Sequence, residues 1–147
     1  MNNEGLIAKA STTIDGPIAK IWDALTTPEI IKQFMFGTET VSEWKEGSPI
    51  VWKGTWEGKS YEDKGVILKI EPQRMLQYSH YSPLSGDPDV PENYHTLTYE
   101  LSEDGDKTLV VLSQDNNATE EEIEHSQGMW EKMLASLKKV VEDEGNS

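Results

Sequence analysis

The sequence predicts an α+β fold in which a curved antiparallel sheet wraps around one long C-terminal helix. From Gly37 to residue 116, apolar and polar residues alternate mostly with a period of two, as in strands that bury one face. Two short helical patterns precede this region, and one long amphipathic helical pattern follows it. We expect the order β-α-α-β-β-β-β-β-β-α in one domain over residues 1–147, because no repeat or linker marks a boundary.

The N-terminal part is predicted to contain one strand and two short helices. Loose alternation of apolar residues over 6–14 indicates the strand. The segment 15–17 reads Asp-Gly-Pro, which places a cap residue and a first-turn proline at the start of a helix. Thr27 and Pro28 repeat this pattern, so a second short helix should run to about Phe34.

The middle of the chain is predicted to form six strands. Turns rich in glycine, proline and aspartate separate segments whose apolar residues alternate. These strands are expected at residues 41–44, 50–56, 61–70, 76–80, 97–101 and 109–112. Residues 82–93 contain three prolines and a glycine and must form a loop. Because long loops of this kind are often functional, we expect it to gate a pocket.

The C-terminal helix has the clearest sequence pattern. Thr119 is a good N-cap residue, and Glu122 three residues later completes a capping box. Acidic residues in the first turn and the lysines at 138–139 complement the helix dipole. The stripe expected to face the sheet consists of Ile123, Gln127, Trp130, Leu134, Leu137 and Val141.

The composition argues against several classes of protein. A formal net charge of -14 disfavours a nucleic-acid partner and an anionic lipid surface, because both require basic residues. The absence of cysteine excludes disulfides, thiolate catalysis and zinc–thiolate sites. No signal-peptide pattern follows Met1, and no apolar stretch reaches membrane-spanning length. We therefore expect a cytoplasmic protein without membrane insertion.

Several segments of the chain resemble one protein family. Residues 18–29, Ile-Ala-Lys-Ile-Trp-Asp-Ala-Leu-Thr-Thr-Pro-Glu, are similar to its "vW-x-aLT-x-PE" signature. Residues 65–76 resemble its "G-x-v…eP…rL" segment, and residues 106–114 and 128–137 fit its last strand and helix. The chain thus resembles the activator of Hsp90 ATPase homologue (AHSA1-like) branch of the START/Bet v1-like (SRPBCC) helix-grip superfamily. The resemblance identifies a fold more specifically than a function.

A sheet wrapped around one helix cannot close against it everywhere, so this fold can leave a cavity between the two. We expect the cavity to hold a small apolar or aromatic molecule, such as a lipid, a sterol or a polyphenol-like compound. Alternatively, the same side chains fill the space as a core. The residues predicted to point inward and bind the ligand are Trp52, Trp56, Leu68, Leu76, Tyr78, His80, Leu97, Tyr99, Leu112, Gln114, Trp130, Leu134 and Leu137.

An alternative function is protein interaction. Relatives of the Hsp90 activator act on a chaperone through protein contacts, so the resemblance allows a co-chaperone-like role with a chaperone or other protein partner. An acidic surface could engage such a partner, although acidic first turns are also what helix N-termini favour. The acidic cluster consists of Asp115, Glu120, Glu121, Glu122 and Glu124.

Catalysis and metal binding have little support in the sequence. His80, His95 and His125 lack metal-binding spacing, and neither a nucleophile elbow nor a phosphate-binding glycine loop is present. His80 shares the predicted inward face with Tyr78, which permits an acid–base role, but a hydrogen-bonded core histidine is the simpler interpretation. No catalytic residue, metal ligand or cofactor is therefore predicted.

Overall fold

The computed structural model describes residues 7–35, 37–56, 58–82, 88–90, 93–115 and 119–145. Within these ranges, the chain forms a strand, two helices, six strands and a long helix, which confirms the predicted order. The elements are β1 (Ala8–Ile14), α1 (Ile18–Thr26), α2 (Pro28–Phe34), β2 (Glu39–Ser42), β3 (Pro49–Trp56), β4 (Lys59–Glu71), β5 (Met75–His80), β6 (His95–Asp104), β7 (Lys107–Gln114) and α3 (Glu120–Gly145).

The strands form one seven-stranded sheet in the order β1-β7-β6-β5-β4-β3-β2, and neighbouring strands are antiparallel. The pairing of β4 with β5 shifts register between Ile67 and Lys69. Nearby, Gly65 lies so close to β5 that a Cβ atom would collide with the carbonyl oxygen of Ser79. Irregularities of this kind bend a strand and increase its twist, as a sheet that curves around a helix requires. The α+β helix-grip prediction is confirmed.

The helices begin close to the predicted positions. Pro17 caps α1, one residue later than predicted, and Thr27 precedes α2 with Pro28 in the first turn. At the start of α3, the backbone N–H of Glu122 donates to Thr119 Oγ1 at 3.2 Å, as the capping pattern predicts. None of the described helices combines the length and apolarity that a membrane span requires.

The second half of α3 covers the concave face of the sheet. Its buried side chains are Met133, Leu134, Leu137 and Val141. By contrast, Ile123 and Gln127 at the start of the predicted stripe are only half-buried. Lys138 Nζ donates to the Thr13 carbonyl at 2.8 Å and so ties α3 to β1. The part of α3 nearest its C-terminus therefore contributes most of the packing.

The strand predicted at 41–44 begins and ends two residues earlier than expected. β2 ends at Ser42, and Val41 is 60% exposed on the outer face of the sheet. Trp44 lies beyond the strand with a φ of 57°, which is rare for a bulky residue. Its backbone N–H donates to Ser42 Oγ at 3.1 Å, and its side chain packs against the core. The chain thus turns sharply after β2 and returns an aromatic ring to the interior.

The predicted loop at 82–93 is described only in part, because residues 83–87 and 91–92 lie outside the described ranges. Asp89 forms an ion pair with Lys64 of β4 and accepts a hydrogen bond from the Tyr94 hydroxyl at 2.6 Å. The ring of Tyr94 stacks on Tyr81 with centroids 5.3 Å apart. These contacts fasten Asp89 and Tyr94 to β4 and Tyr81. Gating of a pocket by this loop stays a prediction.

Candidate functional site

A small cavity lies between α2 and the concave face of the sheet. Its volume is about 10 Å³, which is room for about one water molecule. We call it the Trp52 cavity. It is lined by Leu25, Ile31, Phe34, Met35, Thr40, Trp44, Ile50, Trp52, Leu76, Tyr78 and Tyr99.

Local structure explains why these side chains meet. The alternation of β3 directs Ile50 and Trp52 inward, and both are almost fully buried. In α2, Ile31 and Phe34 are three residues apart and therefore share the face that packs against the sheet. Thr40 of β2 pairs directly with Trp52, which brings a hydroxyl group to an otherwise apolar wall. The cavity is thus apolar and aromatic with one short polar side chain.

Aromatic rings form a continuous row across β3, β5 and β6. The ring of Tyr78 lies 4.9 Å from that of Trp52 and 6.2 Å from that of Tyr99, measured between centroids. Burial raises the pKa of Tyr78 well above its ordinary value and raises the pKa of Tyr99 to about 12. The Tyr99 hydroxyl donates to Met133 Sδ at 4.0 Å.

A polar group of side chains adjoins the Trp52 cavity. Thr40 and Asp63 are the cross-strand neighbours of Trp52 on β2 and β4. His80 Nε2 lies 3.0 Å from Asp63 Oδ2, and the imidazole ring meets Trp52 edge-on at 5.0 Å. We call Thr40, Asp63 and His80 the polar end of the site. This end combines a hydroxyl, a carboxylate and an imidazole on residues that neighbour Trp52.

Two oxygen atoms of the polar end lack a hydrogen-bond partner. Among the described residues, Thr40 Oγ1 and Asp63 Oδ1 are the buried side-chain atoms left without one. A buried polar atom without a partner costs about 1–3 kcal/mol of folding free energy. A hydrogen bond to a bound ligand is one way in which such atoms obtain a partner. Because Thr40 and Asp63 pair with Trp52 from its two neighbouring strands, this end of the sheet is a candidate binding site.

The structure brings together part of the predicted ligand-binding set. Trp52, Leu76, Tyr78 and Tyr99 line the cavity, and His80 contacts Trp52. These residues point inward, as the alternation of their strands predicts. Their proposed contact with a ligand stays a prediction.

Leaving aside Trp56 and Leu68, the rest of the inward set packs as core or lies at its edge. Its buried leucines are Leu97, Leu112, Leu134 and Leu137. Trp130 is half-buried, and its Nε1 donates to Gln114 Oε1 at 2.8 Å. None of these residues lines the Trp52 cavity. The cavity therefore lies under α2, whereas the sequence suggested one under the C-terminal helix.

Leu68 does not point inward, and the prediction for this residue is wrong. Its side chain is 44% exposed, while Gly65 and Ile67 of the same strand are buried. The run Val66-Ile67-Leu68 is apolar throughout, so its alternation could not reveal which face each residue occupies. The side chain of Trp56, another predicted member, lies outside what the structure describes.

Several lining residues were missed by sequence reasoning. They are Leu25, Ile31, Phe34, Met35, Thr40, Trp44 and Ile50. Most precede β3, where the sequence predicts packing but gives no sign of a ligand site. The apolar spacing in α2 predicts a buried helix face, which was the available signal. For Thr40, which follows Glu39 and precedes Val41 in a short strand, the sequence gives no signal of a site.

The other histidines have structural or exposed positions. His95 Nδ1 lies 2.9 Å from the carbonyl oxygen of Asp115, a contact that joins β6 to the residue after β7. His125 is exposed on α3. Among the described residues, no group of three or more His, Asp or Glu side chains is arranged to hold a metal ion.

A broader groove of about 680 Å³ lies at the β3–β4 hairpin and is open to solvent. Tyr61 lies against Gly54 there, and its hydroxyl shares a 2.7 Å hydrogen bond with Thr38 Oγ1. The charged groups Lys53 and Glu62 pair with each other at 3.8 Å. Because these polar groups already have partners, the groove is a weaker candidate than the Trp52 cavity.

The sheet, its enclosing helices and the aromatic cavity define a helix-grip protein of the START/Bet v1-like class. The model of the family "Activator of Hsp90 ATPase homolog 1-like protein" matches residues 15–142. The chain therefore belongs to this family. No curated protein sequence gives a significant match.

Solved structures agree with this assignment. The chain is 54% identical to ChR145 from Cytophaga hutchinsonii, with a TM-score of 0.86 over 100% of both chains. It is 26% identical to CalU16 from Micromonospora echinospora, with a TM-score of 0.70 over 89% of this chain and 73% of CalU16. The Aha1 dimer from Colwellia psychrerythraea shares 21% identity and a TM-score of 0.71, over 92% of this chain and 95% of that one. This last likeness concerns the fold alone. Proteins of this fold commonly bind small hydrophobic ligands.

Proposed function

We propose that the protein binds a small apolar or aromatic molecule on the concave face of its sheet, at the Trp52 cavity. The observation that carries this proposal is a wall of buried aromatic and aliphatic side chains that includes the unpartnered hydroxyl of Thr40. Small-molecule sites are typically apolar surfaces with a few polar groups. The general ligand preference of the fold gives further support.

Ligand binding at this cavity requires an increase in its volume. An engineered cavity of about 150 Å³ accommodates benzene, whereas the Trp52 cavity measures about 10 Å³. Side chains of α2 and of the turn after β2 must therefore move outward. Met35 is half-buried and flexible, which suits such a movement. Because the ligand binds a minor open state, the measured affinity is reduced by the population of that state.

An NMR titration tests both binding and its location. Sterols, fatty acids and flavonoid-like aromatics are added to ¹⁵N-labelled protein while the indole N–H signals are recorded. We expect saturable shifts of Trp52 and Trp44, which line the cavity. Trp130, which is hydrogen-bonded to Gln114 outside the cavity, serves as an internal control. A shift confined to Trp130 would instead indicate a site under α3, and no shift in any indole would contradict the proposal.

Two tryptophan variants provide a matched comparison. Trp52→Leu removes a ring that lines the cavity, and Trp130→Leu removes a ring that does not. We expect the first variant to weaken binding of any compound found in the titration by at least about tenfold, which corresponds to about 1.4 kcal/mol. The second should bind normally. Equal loss in both, or in neither, would argue against a ligand in the Trp52 cavity.

Protein interaction through the acidic cluster has weaker support. Glu120, Glu121 and Glu124 are exposed in the first turns of α3, where negative charge also stabilises the helix. Asp115 has a structural role, because its Oδ1 accepts a 2.6 Å hydrogen bond from the Thr96 backbone. Binding of a basic partner to this surface should weaken steeply with salt. An association that salt does not change would exclude this alternative.

A further inference from the structure

We propose that the polar end beside Trp52 selects a ligand whose aromatic ring carries an N–H or O–H donor. This inference rests on the proposed function and extends it from apolar molecules in general to a chemical class. Its basis is the pair of unpartnered oxygen atoms, Thr40 Oγ1 and Asp63 Oδ1, which belong to the residues that pair with Trp52 on its two neighbouring strands.

The three side chains concerned lie in one row across the sheet. Thr40 pairs with Trp52 in the β2–β3 register, and Trp52 pairs with Asp63 in the β3–β4 register. Directly opposite residues of antiparallel strands project from the same face of the sheet. The exposed fractions of Thr40 and Trp52 are 3% and 4%, and that of the Asp63 side chain is 15%. The row is therefore largely screened from bulk water.

The contact with His80 sets the direction of the Asp63 carboxylate. His80 Nε2 lies 3.0 Å from Oδ2, so one oxygen is engaged while Oδ1 remains without a partner. His80 also meets the Trp52 ring, with centroids 5.0 Å apart. The contact with His80 therefore accounts for one carboxylate oxygen and leaves the other available to a ligand.

The chemistry of these oxygen atoms defines the complementary ligand. A carboxylate oxygen accepts hydrogen bonds and does not donate them, so the ligand atom facing Asp63 must carry a hydrogen. The Thr40 hydroxyl can accept or donate. The adjoining walls are the rings of Trp52 and Tyr78, which favour a flat aromatic partner. Phenol-like and indole-like molecules meet both requirements, whereas purely hydrocarbon rings meet one.

A pair of probes of equal shape tests the inference. Indole carries a ring N–H that only donates, and indene has a CH₂ group in its place. We expect wild-type protein to bind indole about tenfold more tightly than indene, as measured by Trp52 indole shifts, because a hydrogen bond to a charged acceptor is among the stronger ones. An apolar pocket without a free acceptor would show the opposite preference, since burying an unpaired N–H is costly.

Two carboxylate variants on β4 identify the acceptor. Asp63→Asn keeps an oxygen for His80 and replaces the free acceptor with an NH₂ donor. The affinity for indole should therefore fall at least about tenfold, while the affinity for indene should change by less than about twofold. Glu62→Gln removes the same charge from the neighbouring residue, whose side chain is 65% exposed, and should change neither affinity.

The outcomes separate the inference from the proposed function. Equal binding of indole and indene by the wild type would overturn donor selection while leaving ligand binding at the Trp52 cavity intact. The same conclusion would follow if Asp63→Asn weakened both probes equally. If neither probe nor any larger aromatic compound shifted the Trp52 signal, both proposals would fail. The wild-type comparison remains decisive even if Asp63→Asn does not fold.

Discussion

Replacing Thr40 with valine should stabilise the ligand-free protein. Thr40 is 3% exposed, and its Oγ1 has no hydrogen-bond partner among the described residues. Threonine and valine have nearly the same shape, so the substitution exchanges a buried hydroxyl for a methyl group without a large change in packing. Valine also suits a strand as well as threonine does. The change therefore removes a desolvation penalty and creates no cavity.

The expected gain is about 1 kcal/mol, the lower end of the cost of a buried unsatisfied polar group. For a chain of 147 residues this corresponds to a rise in Tm of about 2–4 °C. Urea unfolding followed by circular dichroism measures the free energy directly, and the slope against urea should be unchanged. A change in slope would indicate an altered folded or unfolded ensemble instead.

Thr108→Val is the matched control. Thr108 is 1% exposed, and its Oγ1 donates to the Gly16 carbonyl at 2.9 Å. The same substitution there removes a satisfied hydrogen bond and should destabilise the protein by about 1–2 kcal/mol. The two variants should therefore change stability in opposite directions. If Thr40→Val also destabilised the protein by about 1 kcal/mol or more, the Thr40 hydroxyl would have a partner in the free protein. That result would refute the predicted gain in stability.

Three further predictions concern the fold. Gly65→Ala should destabilise the protein by more than about 2 kcal/mol, because the added Cβ would collide with main-chain atoms of β5. Gly128 in α3 has open space around it, so Gly128→Ala should stabilise the protein by about 0.5–1 kcal/mol. Urea unfolding of both variants tests the contrast, and a tolerated Gly65→Ala would contradict the close strand approach. Leu134→Ala should lower the free energy of unfolding by about 2–5 kcal/mol, because Leu134 is buried. Met129 is 48% exposed, so Met129→Ala should be nearly neutral. Equal effects of the two substitutions would show that α3 does not pack as described. Hydrogen bonds from Lys138 and the Asp15 backbone lower the pKa of Glu142, so its contribution to stability is present above its unfolded-state pKa and is lost as pH falls through the folded-state pKa. The stability difference between wild type and Glu142→Gln should therefore shrink as the pH is lowered from about 6 to about 3. A difference that stays constant over this range would contradict a stabilising role for the Glu142 carboxylate.

Much of the fold can be predicted from local patterns. The capping residues of α3 and the proline at the start of α2 specify their ends, and the period of two specifies the strands. The prediction of which face each strand residue occupies is wrong at Leu68, because three consecutive apolar residues do not indicate which of them points inward. It fails again after Ser42, because a positive φ at Trp44 turns the chain in a way that no residue preference predicts.

The site was less accessible to sequence reasoning. Strand alternation correctly directs Trp52 and Tyr78 inward, and it places His80 near them. The cavity, however, depends on how completely α3 and α2 cover different parts of the sheet, which is a matter of side-chain volumes in three dimensions. The unpartnered state of Thr40 and Asp63 depends on atomic positions across three strands. No spacing rule in a single sequence can reveal it.

The departures from ordinary local rules meet at one end of the sheet. Two buried oxygen atoms without partners flank Trp52, and the bulky residue with positive φ, Trp44, lines the same cavity. The other non-glycine residue with positive φ among those described, Gln73, lies in the β4–β5 turn, where such a conformation is ordinary. Proteins keep destabilising features of this kind mainly where function requires them. Stabilising changes at the polar end should therefore reduce ligand affinity, whereas Gly128→Ala should stabilise the protein without changing it.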